Sequence, residues 1–383
     1  MVMSAPRVRK RRVIENVASY DRWLTFSVVA LLFVGTILVW AATRTWFASQ
    51  GLDPQYYLKR HIINIVIGVV LGYGTTLVDY RLLRAYTPFL WGIGVLGLIA
   101  VAIPGIGSVV NGARAWITFP GGFQIQPGEV AKISIILGIS MLLSEHGDID
   151  SGPSDRDVFK ALLISAIPMV LIMLQPDLGT AIIIGVSLIA IIAVSGAKSR
   201  WVVGLILVAV IGVVGAAKVG IMSEYQVKRL ASFVNPSADP QQSGYQLRQS
   251  RITIGSGGVV GRGLFNGPQT NGRFVPEQQT DFIFTVAGEE TGFIGSGLII
   301  GLFCLFFWRA FLIAQRTNDL FGRLVCVGVI GWFAFQTFEN IGMTMGLMPM
   351  TGVPLPFISY GGSSMFATLV GFGLLQNVHI RSR

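Results

Sequence analysis

The sequence predicts an all-α integral membrane protein of about ten transmembrane helices, and three observations carry that prediction. Of 383 residues, 52% are hydrophobic and only 13% charged, with a mean hydropathy of +0.65, against roughly 25% charge in an average soluble chain. The apolar residues gather into runs near the ~20 residues that a helix needs to cross a bilayer. Lys and Arg concentrate in alternate short connections between the runs, as topology requires. The net charge of +10 is therefore mostly a topology signal, and no nucleic-acid partner is expected.

The first 22 residues are a basic tail with Arg7, Arg9, Lys10, Arg11, Arg12 and Arg22. The apolar run behind it exceeds the ~7–15 residues of a signal-peptide core and reads as a retained anchor. Seven spans are predicted within 23–219: Trp23 to Thr43, Ile62 to Val78, Pro88 to Ile103, Pro127 to Leu143, Ala161 to Leu174, Thr180 to Val194 and Trp201 to Val219. The fifth and sixth are parted only by the Pro and Gly turn LQPDLG, which reads as a hairpin. A large outward loop follows at 220–281. Three more spans lie within 282–375, at Phe282 to Ile313, Leu324 to Met345 and Ser364 to Leu375, before a short tail at 376–383. An even number of spans puts both termini in the cytoplasm, with Arg81, Arg84, Arg156, Lys160, Lys198, Arg200, Arg316 and Arg323. Outside lie 104–126, 175–179, 220–281 and 346–363. Cys304 and Cys326 sit inside apolar runs, which excludes a disulfide framework and a CxxC metal site.

The apolar rhythm fails over 220–281, and connections of that length are functional or disordered. Tyr225, Phe233, Tyr245, Phe265 and Phe274 favour an ordered, partly helical lid. The loop ends in GSGGVVGRGLFNGPQTNGRFVPEQQTDFIF at 255–284. Its glycines have two readings: an anion-binding nest with nearby arginines on phosphate oxygens, or simple close approach of backbones. No GKS or GKT follows and no strand precedes, so it is neither a nucleotide P-loop nor a dinucleotide fingerprint.

Polar groups at membrane depth are functional candidates. Glu129 and Lys132, three residues apart, share one face of the fourth span as a structural ion pair or a substrate contact. Asp177 reads as a helix cap, with a direct role as the alternative. Glu289, Glu290, Glu339 and Asn340 face the bundle interior. The Pro/Gly-rich MPMTGVPLPFISYGGSS before the last span is too apolar for a solvent loop and too broken for a helix, so a re-entrant segment is predicted, with Ser359, Tyr360, Ser363 and Ser364 as its polar wall. His61 is expected just outside the second span, and His146 and His379 are cytoplasmic. A serine nucleophile would therefore lack a base.

Seven motifs together resemble the SEDS family of bacterial cell-wall synthesis, whose members include RodA, FtsW and SpoVE. They are NGARAW at 111–116, QPGEVAK at 126–132, QPDLGTA at 175–181, IGSGGVVGRG at 254–263, FVPEQQTDFIF at 274–284, EETGFIG at 289–295 and PLPFISYGGSS at 354–364. The form GRGLFNGPQTNGRFVPE is closer to the RodA, or elongation, branch than to the FtsW, or division, branch. The resemblance implies ten transmembrane helices and peptidoglycan glycosyltransferase activity on lipid II at the outer membrane face. A class B penicillin-binding transpeptidase is the implied partner. The family's essential loop carboxylate falls on Asp281, and its charged pair on Glu129 and Lys132. The chain departs from the family at Ala115, where Arg is usual, at Gly128, where Ser is usual, and at Gln279, often His.

Forming a β-1,4 bond from an α-linked diphosphate donor inverts the anomeric carbon. That step needs a base at the acceptor hydroxyl and cations at the departing diphosphate. Asp281 is the expected base. Arg114, Lys132, Arg262 and Arg273 are expected at the diphosphate, and Glu129, Glu277, Ser359, Tyr360 and Ser363 complete the substrate-binding candidates. No metal-ligand signature is present, although Mg or Mn could bridge carboxylate and diphosphate. The alternative is a lipid II flippase, which multi-span architecture with buried charges also suits.

Overall fold

The computed structural model describes residues 19–110, 113–119, 123–145, 152–219, 227, 229, 233 and 242–382. Among them are ten helices of 17 residues or more: α1 Arg22–Ser49, α2 Tyr56–Leu77, α3 Tyr80–Ala102, α4 Pro127–Leu143, α5 Asp155–Leu174, α6 Leu178–Val194, α7 Ser199–Val219, α10 Ile283–Arg316, α11 Leu320–Met345 and α12 Gly362–Arg381. Each overlaps one predicted span. Six of them, α1, α2, α3, α5, α10 and α11, are long and apolar enough by themselves to cross a membrane. The 17 residues of α4 and of α6 extend about 26 Å.

Local chemistry sets where the helices begin. Asp21, Asp79, Asp177 and Asp319 each accept a hydrogen bond from an amide in the first turn that follows, and Ser154 and Asp157 form a reciprocal capping box at α5. Polar residues upstream of the apolar runs extend the helices, so α2, α3, α5 and α11 begin four to eight residues before the predicted spans. The difference is eight residues at α3 and six at α2. Lys59 pairs with Asp53 at 2.7 Å and Arg60 lies 4.6 Å from the centre of the Tyr56 ring, so the first turn is polar and aromatic yet helical. His61, expected outside the span, is instead buried within α2.

Small residues let the helices close on one another. Gly68 and Gly72 of α2 lie against Leu369 of α12, and a Cβ on Gly72 would collide with the Leu369 carbonyl. The core runs continuously through α1, α4, α6, α10, α11 and α12. Between α11 and α12 the chain does not leave the bundle. Leu355, Phe357 and Ile358 are buried, Phe357 packs on Phe306 and Phe333, and Ile358 sits on Gly35 of α1.

Two features lie outside the predicted helices. Within 104–126 three strands form an antiparallel sheet, β1 Gly107–Val110, β2 Ala113–Phe119 and β3 Phe123–Ile125, in the order β1-β2-β3. Gly107 pairs with Ile117, Ile117 pairs with Ile125, and a bulge falls at Ser108 and Val109. The described part of the large loop holds α8 Ser243–Ser256 and α9 Pro268–Asn271. Ser250 of α8 donates to the Thr344 carbonyl, and Arg251 donates to the carbonyls of Met345 and Gly346, each at 3.1 Å. Those carbonyls end α11 and have no helical partner of their own. Tyr225 falls outside the described residues.

Candidate active site

Asp281 stands two residues before α10, on a chain segment held by three consecutive carbonyls. The Tyr360 amide donates to Gln279 O at 2.9 Å, the Ser359 hydroxyl to Thr280 O at 2.6 Å and the Asn340 amide to Asp281 O at 2.7 Å. The carboxylate itself is not used to cap the helix, since the cap position is Phe282, which makes no side-chain cap bond. It points instead at Gly352, whose φ of +75° suits glycine. A Cβ there would stand 3.2 Å from Asp281 Oδ2 and 3.3 Å from a guanidinium nitrogen of Arg229. Carboxylate and guanidinium thus converge on one small residue.

Arg229 and two more charged groups set the electrostatics of this point. Desolvation pushes the Asp281 carboxyl up to about 7, Arg229 opposes the rise, Glu277 and Asp177 add to it by like-charge repulsion, and a hydrogen bond from Thr280 opposes it. Although the side chain is only half-buried, the protein packed around it excludes enough water to penalise the charge. Glu277 has φ +51°, and its carboxylate accepts from the Gln279 side-chain amide at 3.1 Å. Gln279, where a relay histidine was absent by sequence, therefore braces Glu277.

Asp177 caps α6 through Thr180 N at 3.0 Å, and its other oxygen accepts from the Gln126 side chain at 3.0 Å. Ser363 accepts from Gln126 N at 2.9 Å and donates to Gln124 O at 3.0 Å. These bonds tie the starts of α4, α6 and α12 together. Ser359 likewise accepts from Leu355 N at 2.7 Å. Both hydroxyls are committed to backbone and shape a wall. Tyr360 lies edge-on to Tyr57, with ring centres 4.7 Å apart, and is hydrogen-bonded by Arg60.

The remaining candidates are placed in other surroundings. Lys132 Nζ pairs with Glu129 at 2.8 Å and lies 4.7 Å from the centre of the Trp332 ring, with both charged side chains buried. The second Glu129 oxygen has no hydrogen-bond partner. Arg114 is half-buried on β2, opposite Val109. Arg273 stacks on Trp46, 3.6 Å from the ring centre, and Arg262 is exposed. Sequence reasoning did not single out Arg229 or Gly352. Arg229 was one loop arginine among several, and only its approach to Gly352 sets it apart.

The glycine cluster has a clear structural use. The amides of Arg262 and Gly263 donate to the carbonyls of Glu289 and Glu290, while Phe293 and Ile294 donate to the carbonyls of Gly258 and Val259. These bonds surround a break in α10 at Gly292, φ +65° and ψ −161°, and satisfy groups that the break frees from the helix. The Glu289 carboxylate then accepts from the amides of Gln269 and Thr270 at 2.8 and 2.7 Å. So the glycines brace a broken helix, and the amides of Arg262 and Gly263 are already spent. Gly261 has φ +86°, and a Cβ there would collide with the Glu290 carbonyl. Gly261→Ala is expected to destabilise by at least about 1–3 kcal/mol, read as a lower melting temperature in detergent. An unchanged melt would refute this use of the cluster.

Comparison with known proteins extends these observations over the whole chain. The cell cycle protein family model for FtsW, RodA and SpoVE matches residues 22–383. Stage V sporulation protein E of Bacillus subtilis (strain 168) is 40% identical over 95% of this chain and 98% of its own. The peptidoglycan glycosyltransferase RodA of Treponema pallidum (strain Nichols) is 33% identical over 96% of this chain and 99% of its own. A chain from a peptidoglycan synthase complex that coordinates polymerization and crosslinking superposes with a TM-score of 0.77 at 31% identity, covering 94% of this chain and 97% of that one. The multi-pass helical architecture and the sequence motifs therefore have one source: the chain belongs to the FtsW, RodA and SpoVE family of cell cycle proteins.

Proposed function

We propose that this protein is a peptidoglycan glycosyltransferase that polymerises lipid II into glycan strands, with Asp281 as its base. The observation that carries the reading is a carboxylate held at the entry of α10, raised to about 7 and facing Arg229 across Gly352. The relative named a peptidoglycan glycosyltransferase and the synthase-complex chain both align over nearly the full length.

In the proposed step Asp281 takes the proton of the acceptor sugar 4-hydroxyl as that oxygen attacks the anomeric carbon of the donor. The bond from this carbon to the diphosphate oxygen breaks, the α-linkage becomes β, and undecaprenyl diphosphate departs with its electron pair. Diphosphate is a good leaving group, so no separate general acid of the kind used in glycoside hydrolysis is required. Arg229 meets negative charge closest to the base, with Arg114, Lys132, Arg262 and Arg273 as further candidates along the donor. Glu129, Glu277, Ser359, Tyr360 and Ser363 would shape the substrate surface. Among the described residues no group of three His, Cys, Asp or Glu side chains could hold a metal. A divalent cation would thus take most of its ligands from the diphosphate, and no step here depends on one.

The reading places the protein in the bacterial cytoplasmic membrane with both termini inside and the Asp281 loop outside. A class B penicillin-binding transpeptidase is the proposed partner, supported by the likeness to a complex that couples polymerization with crosslinking. An elongation role is proposed from GRGLFNGPQTNGRFVPE.

A base acts only when ionised. Acidification through about pH 7 should therefore protonate Asp281 and reduce polymerisation, with full activity above that pH. Purified full-length protein with its partner, given labelled lipid II between about pH 3 and pH 9, is expected to show a one-proton acid limb near neutrality. A limb near the ordinary carboxylate value of about 4 would contradict the raised titration of Asp281, and a rate unchanged from about pH 9 to pH 3 would remove the base assignment.

A further inference from the structure

We propose that Asn340, on α11, is a positioning residue that sets the aim of the Asp281 carboxylate by strapping the entry of α10 to the turn at 351–353. This rests on Asp281 as the base and adds the device that holds it in place.

The side-chain amide of Asn340 donates both hydrogens, one to Asp281 O and one to Val353 O, each at 2.7 Å. Asn340 is fully buried, and its own oxygen has no partner. Turning the amide over would set that oxygen against two carbonyls, so its orientation is fixed by the contacts. Aspartate has no donor when ionised and only one when protonated, aliphatic residues have none, and glutamine carries the same amide one methylene further out.

The geometry links this amide to the chemistry. Val353 follows Gly352, the residue on which Asp281 Oδ2 and Arg229 converge. The preceding residue on α11, Glu339, accepts from the Thr351 hydroxyl at 2.9 Å. Two consecutive residues of α11 thus hold the turn on either side of Gly352, and the second of them also holds the backbone of the base. Of the three bonds on the 279–281 carbonyls, the one from Asn340 alone reaches both the base and the wall it faces. Without it, two backbone carbonyls would be left in a buried place and the distance between carboxylate and wall would be free to change.

Loss of positioning has a different signature from loss of stability. A displacement of about 1 Å at a reacting group can cost on the order of a hundredfold in rate. Asp281 is faced by Arg229 and Glu277 of the large loop and by Asp177 at the start of α6, with Glu339 on α11 beside the turn. Moving it relative to these charges also moves its titration.

The test uses the full-length protein with its transpeptidase partner and labelled lipid II, comparing Asn340→Ala, Asn340→Ser and Asp281→Asn. Asn340→Ala is expected to lower kcat about 10- to 100-fold, to leave KM within about threefold, and to displace the acid limb of the pH profile in the folded protein. The uncharged Asn340→Ser, which keeps one donor, covers the case in which the alanine variant does not fold, and it should show a loss in the same direction. Wild-type kcat and pH profile in a folded Asn340 variant, alongside an inactive Asp281→Asn, would overturn the positioning role and leave the base assignment intact. Reduced yield with an unmoved acid limb in the folded fraction would also overturn it, as a structural contact only. An active Asp281→Asn would instead overturn the base assignment, and this proposal with it.

Discussion

Asp281→Asn is expected to reduce lipid II polymerisation by roughly 100- to 10,000-fold, the range for removing a general base, while leaving the melting temperature in detergent near that of the parent. The amide keeps the shape of the carboxylate and the three bonds on the 279–281 carbonyls. Removing a charge that is already costly to hold there should not weaken the fold. The replacement can neither accept a proton from the sugar hydroxyl nor oppose Arg229. Rate and stability must therefore separate. Equal loss of both would mean that the carboxylate is a structural group.

The second large effect belongs to Glu129 and Lys132. Replacing Lys132 by Ala strands a buried carboxylate that already has one unpartnered oxygen, and removing one member of such a pair typically destabilises by about 3–5 kcal/mol. It also removes the cation from the Trp332 face. The double variant Glu129→Gln with Lys132→Met deletes both charges and should recover most of the lost stability, as measured by thermal melting in detergent. Single variants as stable as the parent would contradict the burial of the pair. Polymerisation by the refolded double variant then separates the two roles. Near-parent activity makes the pair scaffold, and loss with an intact melt places Lys132 on the donor.

The parts of the fold legible in the sequence were those written in local runs. Each apolar segment became a helix because burying its side chains and closing its own backbone bonds are satisfied together. Of the helix starts, the cap at Asp177 was read from the sequence, while those at Asp21, Asp79, Ser154 and Asp319 were passed over because hydropathy marks the apolar run and not the polar residue before it. What was not legible depends on contacts distant in sequence. The alternation in GSVV and ARAWITF, with Asn111-Gly112 between them, was a hairpin signal passed over because the stretch was short and sat among long helices. Asn111 and Gly112 themselves lie outside the described residues. His61 was misplaced because hydropathy sees the end of an apolar run and not the polar turn that continues it. The glycine cluster had two readings, and only the break at Gly292 showed which carbonyls and amides it serves. Arg229 and Gly352 carried no local signature, and Asn340 stood out only as a polar group facing the bundle interior, since each matters through a partner from another element.

The measurement that tests the central claim most directly offers labelled lipid II to the purified protein and its partner, once in detergent and once in sealed liposomes. Glycan chains should form in detergent, and Asp281→Asn should not make them. Transfer of lipid II across the liposome membrane without any polymer, by a folded parent protein, would contradict the account and make the protein a flippase.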